Sequence, residues 1–125
     1  MGKGPYRVKY GAFNVDLFGL RGGPMGRETG RGYPFVLRLP RPNPSRGRVL
    51  VEYSVPEDGE VILRVYDVAG RRVKDLVSGR VKAGIHRLEW DRRDVRGKLL
   101  PSGVYFLRLE AGGFRETRKL LLLGH

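Results

Sequence analysis

Apolar and polar residues alternate with a period of two through most of this chain, and no stretch shows convincing helical periodicity. Val49, Val51, Tyr53 and Val55 share one face against Leu50, Glu52 and Ser54. That run ends at Pro56, Glu57, Asp58 and Gly59, where Pro and Gly suit a tight reversal. Val61, Leu63 and Val65 form the next inward face, closed by Asp67, Val68, Ala69 and Gly70. A short strand is predicted from Arg72 to Val77, ending at Ser78 and Gly79. His86, Leu88 and Trp90 alternate after the turn at Ala83 and Gly84, and a longer loop follows over 91–103. Tyr105, Leu107 and Leu109 precede a hairpin turn at Ala111, Gly112 and Gly113, and the last strand runs from Arg115 to Leu123. About seven strands with turn signals roughly every eight to twelve residues predict an all-β antiparallel sandwich.

The first third reads differently. Ten of the nineteen Gly and six of the eight Pro lie within residues 1–47, with nine basic and two acidic residues. Tyr6, Val8 and Tyr10 alternate with Arg7 and Lys9, and Phe13, Val15 and Leu17 alternate with Asn14 and Asp16. Two short strands joined at Gly11 are expected. Residues 19–32 read as loop or linker. Phe35, Leu37 and Leu39 alternate with Val36 and Arg38 and stop at Pro40, as in an edge strand entering a domain. The division is therefore a Gly/Arg-rich extended arm over 1–37 and a sandwich over 38–125.

Composition then removes function classes. At 40% hydrophobic residues the 125-residue chain has enough for a core, which excludes wholesale disorder. The absence of Cys excludes disulfides, thiolate metal sites and a cysteine nucleophile. His86 and His125 are the two histidines, too few for a His-built metal site or triad. Asp91 and Asp94 invite a calcium reading, but the EF-hand spacing is missing and Arg92, Arg93 and Arg96 interleave. Asx-type turns account for them better, and for Asp67 before Gly70. The glycines form no phosphate-binding loop, and the acids scatter singly rather than pairing. Trp90 and Tyr105 fall in phase with the strands, as core residues whose polar tips need partners; His86 reads as a core or rim histidine. No catalytic residue, cofactor, metal or small-molecule substrate is expected.

No apolar run is long enough to span a bilayer. Residues 1–10 carry charge with no apolar segment behind them, so no signal peptide is visible. The chain either stays inside the cell or is a mature form or fragment of something exported.

The net charge of +12 would attract nucleic acid, anionic lipid or acidic polysaccharide. Arg21, Arg27, Arg31, Arg38, Arg41 and Arg46, interspersed with Tyr6, Tyr10 and Tyr33, are the candidate anion-binding set. A solvated Arg-rich surface, as in a thermophile or a GC-rich genome, is the alternative. No zinc finger, helix-turn-helix or RNP signature accompanies the charge.

Pro42, Asn43 and Pro44, then Tyr66, Asp67 and Gly70, Trp90 and Asp91, Gly103 and Tyr105, and Arg118 and Lys119 before an apolar end occur in a characteristic order. The ordered set resembles the immunoglobulin-like domain at the C-terminus of flagellar hook-capping (FlgD-like) proteins. It resembles still more the type A sorting domains of the type IX secretion system. The resemblance covers residues 38–125. It implies an immunoglobulin-like (fibronectin III-like) sandwich without an active site, a C-terminal address read by a translocon and open to clipping at the cell surface. The partners implied are secretion and anchoring machinery. Two other readings stay open: a filament or surface-array subunit that donates its arm as a strand to another copy, and a cytoplasmic RNA- or DNA-binding protein.

Overall fold

The computed structural model describes residues 32–124 and, as backbone, two strands before them. Those two, β1 (Arg7–Tyr10) and β2 (Phe13–Asp16), pair antiparallel with Tyr10 opposite Phe13, and β2 lies beside the last strand. The sandwich is built from β3 (Val36–Leu37), β4 (Val49–Val55), β5 (Gly59–Asp67), β6 (Arg72–Val81), β7 (Gly84–Trp90), β8 (Gly103–Ala111) and β9 (Phe114–Leu122). One sheet has the order β3-β4-β7 and the other β6-β5-β8-β9, every neighbour antiparallel. It is an all-β, immunoglobulin-like sandwich of two antiparallel sheets.

The alternation sets which side chains meet between the sheets, because neighbours along a strand point to opposite faces. Val49, Val51, Tyr53 and Val55 from β4 face Val61, Leu63 and Val65 from β5 and Tyr105, Leu107 and Leu109 from β8. Leu37, Trp90, Leu120 and Leu122 complete the buried cluster. Phe35 stacks on Phe114 with ring centroids 5.0 Å apart, so the packed core takes in residues before 38.

Three strand expectations need correction. The β6 strand does not end at Ser78 and Gly79; it continues to Val81 because β5 offers partners along its whole length, Ile62 for Ser78 and Val61 for Gly79. Leu39 does not join Phe35 and Leu37 on an inward face. The β3 ladder stops at Leu37, and Leu39 is left 41% exposed. The last strand begins at Phe114, directly opposite Ala111, and its inward positions include Glu116 and Arg118 as well as leucines.

Candidate functional site

The motif residues gather into two places. The first is the outer edge of β9, the C-terminal strand. An edge strand exposes a row of unpaired amides and carbonyls that would template association. Here the segment 42–45 runs along that row. The Asn43 side-chain amide donates to the Lys119 carbonyl at 2.8 Å, and its oxygen accepts the Leu121 N–H at 2.9 Å. Ser45 continues with its own N–H donating to the Leu121 carbonyl and its carbonyl accepting from Leu123 N–H, a parallel bridge to Leu122. Pro42 and Pro44 have no N–H, so the covering segment offers no donor at those positions. Ser45 is fully buried; its hydroxyl donates to the Gly47 carbonyl and accepts the Gly47 N–H.

Two buried arginines hold the same strand from other directions. Arg118, 1% exposed on the inward face, donates from Nε to the Leu37 carbonyl at 2.7 Å and lies 3.7 Å from Glu116. Arg92, 2% exposed, donates to the Leu123 carbonyl at 2.7 Å. It sits at φ 68°, a left-handed conformation uncommon outside Gly.

The second place is the loop end formed where β5 meets β6 and where β7 leads to β8. Two turns there share one design, in sequence as well as in shape. Asp67 Oδ1 accepts the N–H groups of Ala69 and Arg71, and Asp94 Oδ1 accepts those of Arg96 and Lys98, all at 2.9–3.0 Å. In each, the fourth residue is a glycine with positive φ, Gly70 at 86° and Gly97 at 84°, a conformation glycine adopts without a Cβ penalty. The second turn docks beside the first through Val95 N–H to the Val73 carbonyl. Burial opposes the charge on Asp67, but the Arg71 N–H and guanidinium and the Ala69 N–H outweigh it and hold the carboxyl below its ordinary range. Asp94 is lowered too, foremost by the Lys98 N–H.

The large side chains of this end are packed and satisfied. Tyr105 donates to the Pro101 carbonyl at 2.8 Å, and Trp90 Nε1 to the Arg93 carbonyl at 3.1 Å. Burial raises the Tyr105 phenol, Asp67 adds to the rise and Arg92 opposes it. Asp91 accepts the Arg93 N–H at 3.1 Å, Gly103 pairs with Leu122, and Tyr66 sits on the outer face of β5 with the Arg108 guanidinium 5.5 Å from its ring centre. His86 stacks on Tyr53 at 5.2 Å, its Nε2 2.7 Å from the Lys82 carbonyl. Among the described residues, no group of three or more His, Asp or Glu could hold a metal ion.

The basic set divides. Arg38 and Arg41 lie 3.7 and 3.8 Å from Glu52, with Arg87 at 3.2 Å as a third partner the charge pattern did not single out. Glu52 is thus one carboxylate shared among three guanidiniums on the outer face of the small sheet. Arg46 is exposed elsewhere. Arg21, Arg27 and Arg31 lie outside the described residues, as do Tyr6 and the expected joint at Gly11. Arg118 was discoverable, since it shares phase with Leu120 and Leu122; nothing in the alternation marks Arg92. The twin turns were visible as Asp-Val-x-Gly followed by a basic residue, twice.

Among the described residues no helix is long and apolar enough to cross a membrane. Two curated proteins, the basal-body rod modification protein FlgD of Salmonella typhimurium and that of Salmonella typhi, are each 34% identical over 61 residues. The alignment takes in 49% of this chain and spans 26% of their length. Among solved structures, dimeric latent PorU from Porphyromonas gingivalis superposes with a TM-score of 0.58 at 19% identity, over 74% of this chain and 9% of that one, a likeness of fold. The family model of the FlgD Ig-like domain matches residues 45–113, more than half of the chain, and the chain belongs to that structural family.

Proposed function

We propose that this chain is a non-catalytic sorting and anchoring module of an exported bacterial protein, presented at the cell surface and handled by secretion or assembly machinery. The observation that supports it most is the Asn43 side chain, between Pro42 and Pro44, donating to the Lys119 carbonyl and accepting from the Leu121 N–H on the edge of β9. A translocon that reads a folded C-terminal strand needs that strand held in one conformation, with its backbone groups satisfied rather than open to stray pairing. The 42–45 segment, Arg92 and Arg118 provide that. The motif order shared with type A sorting domains and the fold shared with PorU point the same way.

The test fuses the full chain to the C-terminus of a reporter bearing a signal peptide, in a bacterium with a type IX system. The reporter is expected at the cell surface. Removing 114–122 abolishes this, and Asn43→Ala, which leaves the core intact, lowers it. A reporter that stays in the periplasm with the intact chain overturns the proposal, as does equal export by the Asn43→Ala variant.

A further inference from the structure

The two sheets have four outer strands, and three are covered or irregular along part of their length. The 42–45 segment covers the second half of β9, from Lys119 onward. The chain beyond β3 stays tied to β4 through Arg38 and Arg41, and Arg118 grips the Leu37 carbonyl from β9. Two register shifts break β6 against β5, and Val95 caps its start. Irregularity and covering are the usual protections of a sheet edge. The β7 strand has neither. It pairs with β4 over seven consecutive residues without a shift, and no described residue covers its far side.

The direction of its free backbone groups follows from β4. Leu50 exchanges both hydrogen bonds with Arg41, and the Glu52 carbonyl accepts from Arg38, so these two residues turn their backbone toward β3. In an antiparallel ladder alternate residues bond to opposite neighbours. Val49, Val51 and Tyr53 therefore bond to Trp90, Leu88 and His86. Ile85, Arg87 and Glu89 are left with N–H and C=O groups directed out of the sheet, and their exposed side chains stand on its outer face.

We infer that β7 is a self-pairing edge: two copies join antiparallel about a two-fold axis at Leu88. That register sets Arg87 against the partner's Glu89 and Glu89 against the partner's Arg87, each as a mutually hydrogen-bonded pair. Moving the axis one residue back, to Arg87, would place like guanidiniums face to face, which opposes pairing. The charges on this edge are thus complementary to themselves in one register. Such an interface is isologous, and it extends the three-stranded sheet to a continuous six. Arg87 would then bridge its own Glu52, now 3.2 Å away, and the partner's Glu89. One added strand pair makes a small interface, so the association is weak and concentration-dependent.

Sedimentation of the full chain over a wide concentration range tests this. Wild type is expected to pass from monomer to dimer. Glu89→Lys and Arg87→Glu each set like charges opposite one another and should weaken dimerisation about tenfold or more. An equimolar mixture of the two restores complementarity and should associate again. The chain has no cysteine, so register can be read by disulfide formation. Arg87→Cys mixed with Glu89→Cys should cross-link, since mutually bonded residues place their Cα atoms about 5.5 Å apart. Arg87→Cys alone should not. Circular dichroism confirms that each variant is folded. A wild type that stays monomeric, variants that dimerise like wild type, or cross-linking by Arg87→Cys alone would each overturn the inference. Capture of a strand of a different protein in place of a second copy would overturn it too.

Discussion

The sheets of this sandwich end in two very different strands. The β9 strand is regular and long, and its second half is covered: a proline-flanked segment lies along it from Lys119, Asn43 fills the role of a neighbouring peptide group, and two buried arginines bond at this strand and its end. The β7 strand is shorter and equally regular, and nothing described lies along it. The motif residues invested in β9 explain why that edge cannot recruit a stranger. The absence of such residues at β7, with opposite charges two positions apart, is what an edge kept available would look like. The same fold thus carries one edge partly covered by its own chain and one with no described cover.

The comparison is broken most severely at Arg118. Replacing it by Ala removes the donor to the Leu37 carbonyl and the cation 3.7 Å from the buried Glu116 carboxylate, and loss of one partner of a buried pair costs about 3–5 kcal/mol. Urea unfolding should show the unfolding free energy fall by that amount, and the midpoint with it. If Arg118→Ala unfolds with the wild-type midpoint, the clamp contributes nothing. Asn43→Ala comes next. Two exposed hydrogen bonds to β9 are lost, together worth about 1–2 kcal/mol. The Leu121 amide should exchange with solvent faster, while amides in the β5–β8 ladder keep their protection.

Much of this was legible in the chain, and what was not has a physical reason. The strands β4, β5 and β8 could be read residue by residue because each buries one face, which writes itself as alternation. The end of β6 could not, since Ser78 and Gly79 look like a turn until β5 is known to pair beyond them. Asn43 bonds to residues 76 and 78 positions away, so its role is invisible locally. Arg118 carried its signal in phase with Leu120 and Leu122, yet its charge argued for the surface. Strand order has no trace in alternation at all, and with it went the identity of the open edge and the meaning of Arg87. The basic charge was plain, but Arg38 and Arg41 share Glu52, which no count of charges reveals.

Acid should act on the closed side. The Asp67 and Asp94 carboxyls are held below their ordinary range by backbone N–H groups and nearby cations. A carboxylate lowered on folding stabilises the native state at neutral pH, and that contribution is lost as pH falls from about 4 through the folded value. The Asp94 turn belongs to the loop that carries Arg92, so Leu123 amide protection should decline over this window. Asp67→Asn and Asp94→Asn should flatten the pH dependence of the urea midpoint. A dependence as steep in the double variant would assign it to other groups.

The smallest expected effect is the one that sharpens the contrast. Glu89 is exposed on the outer face of β7, and its backbone N–H and C=O take no part in the ladder with β4. Glu89→Lys should therefore leave monomer stability within about 0.5 kcal/mol of wild type, as for a surface substitution away from any packed feature. Unfolding at a concentration too low for association isolates that quantity. A large loss there would mean that Glu89 supports its own sheet. A negligible change, set against the losses at Arg118 and Asn43, would mean that the residues of one edge serve the fold of their own chain, while those of the other cost that fold almost nothing to change.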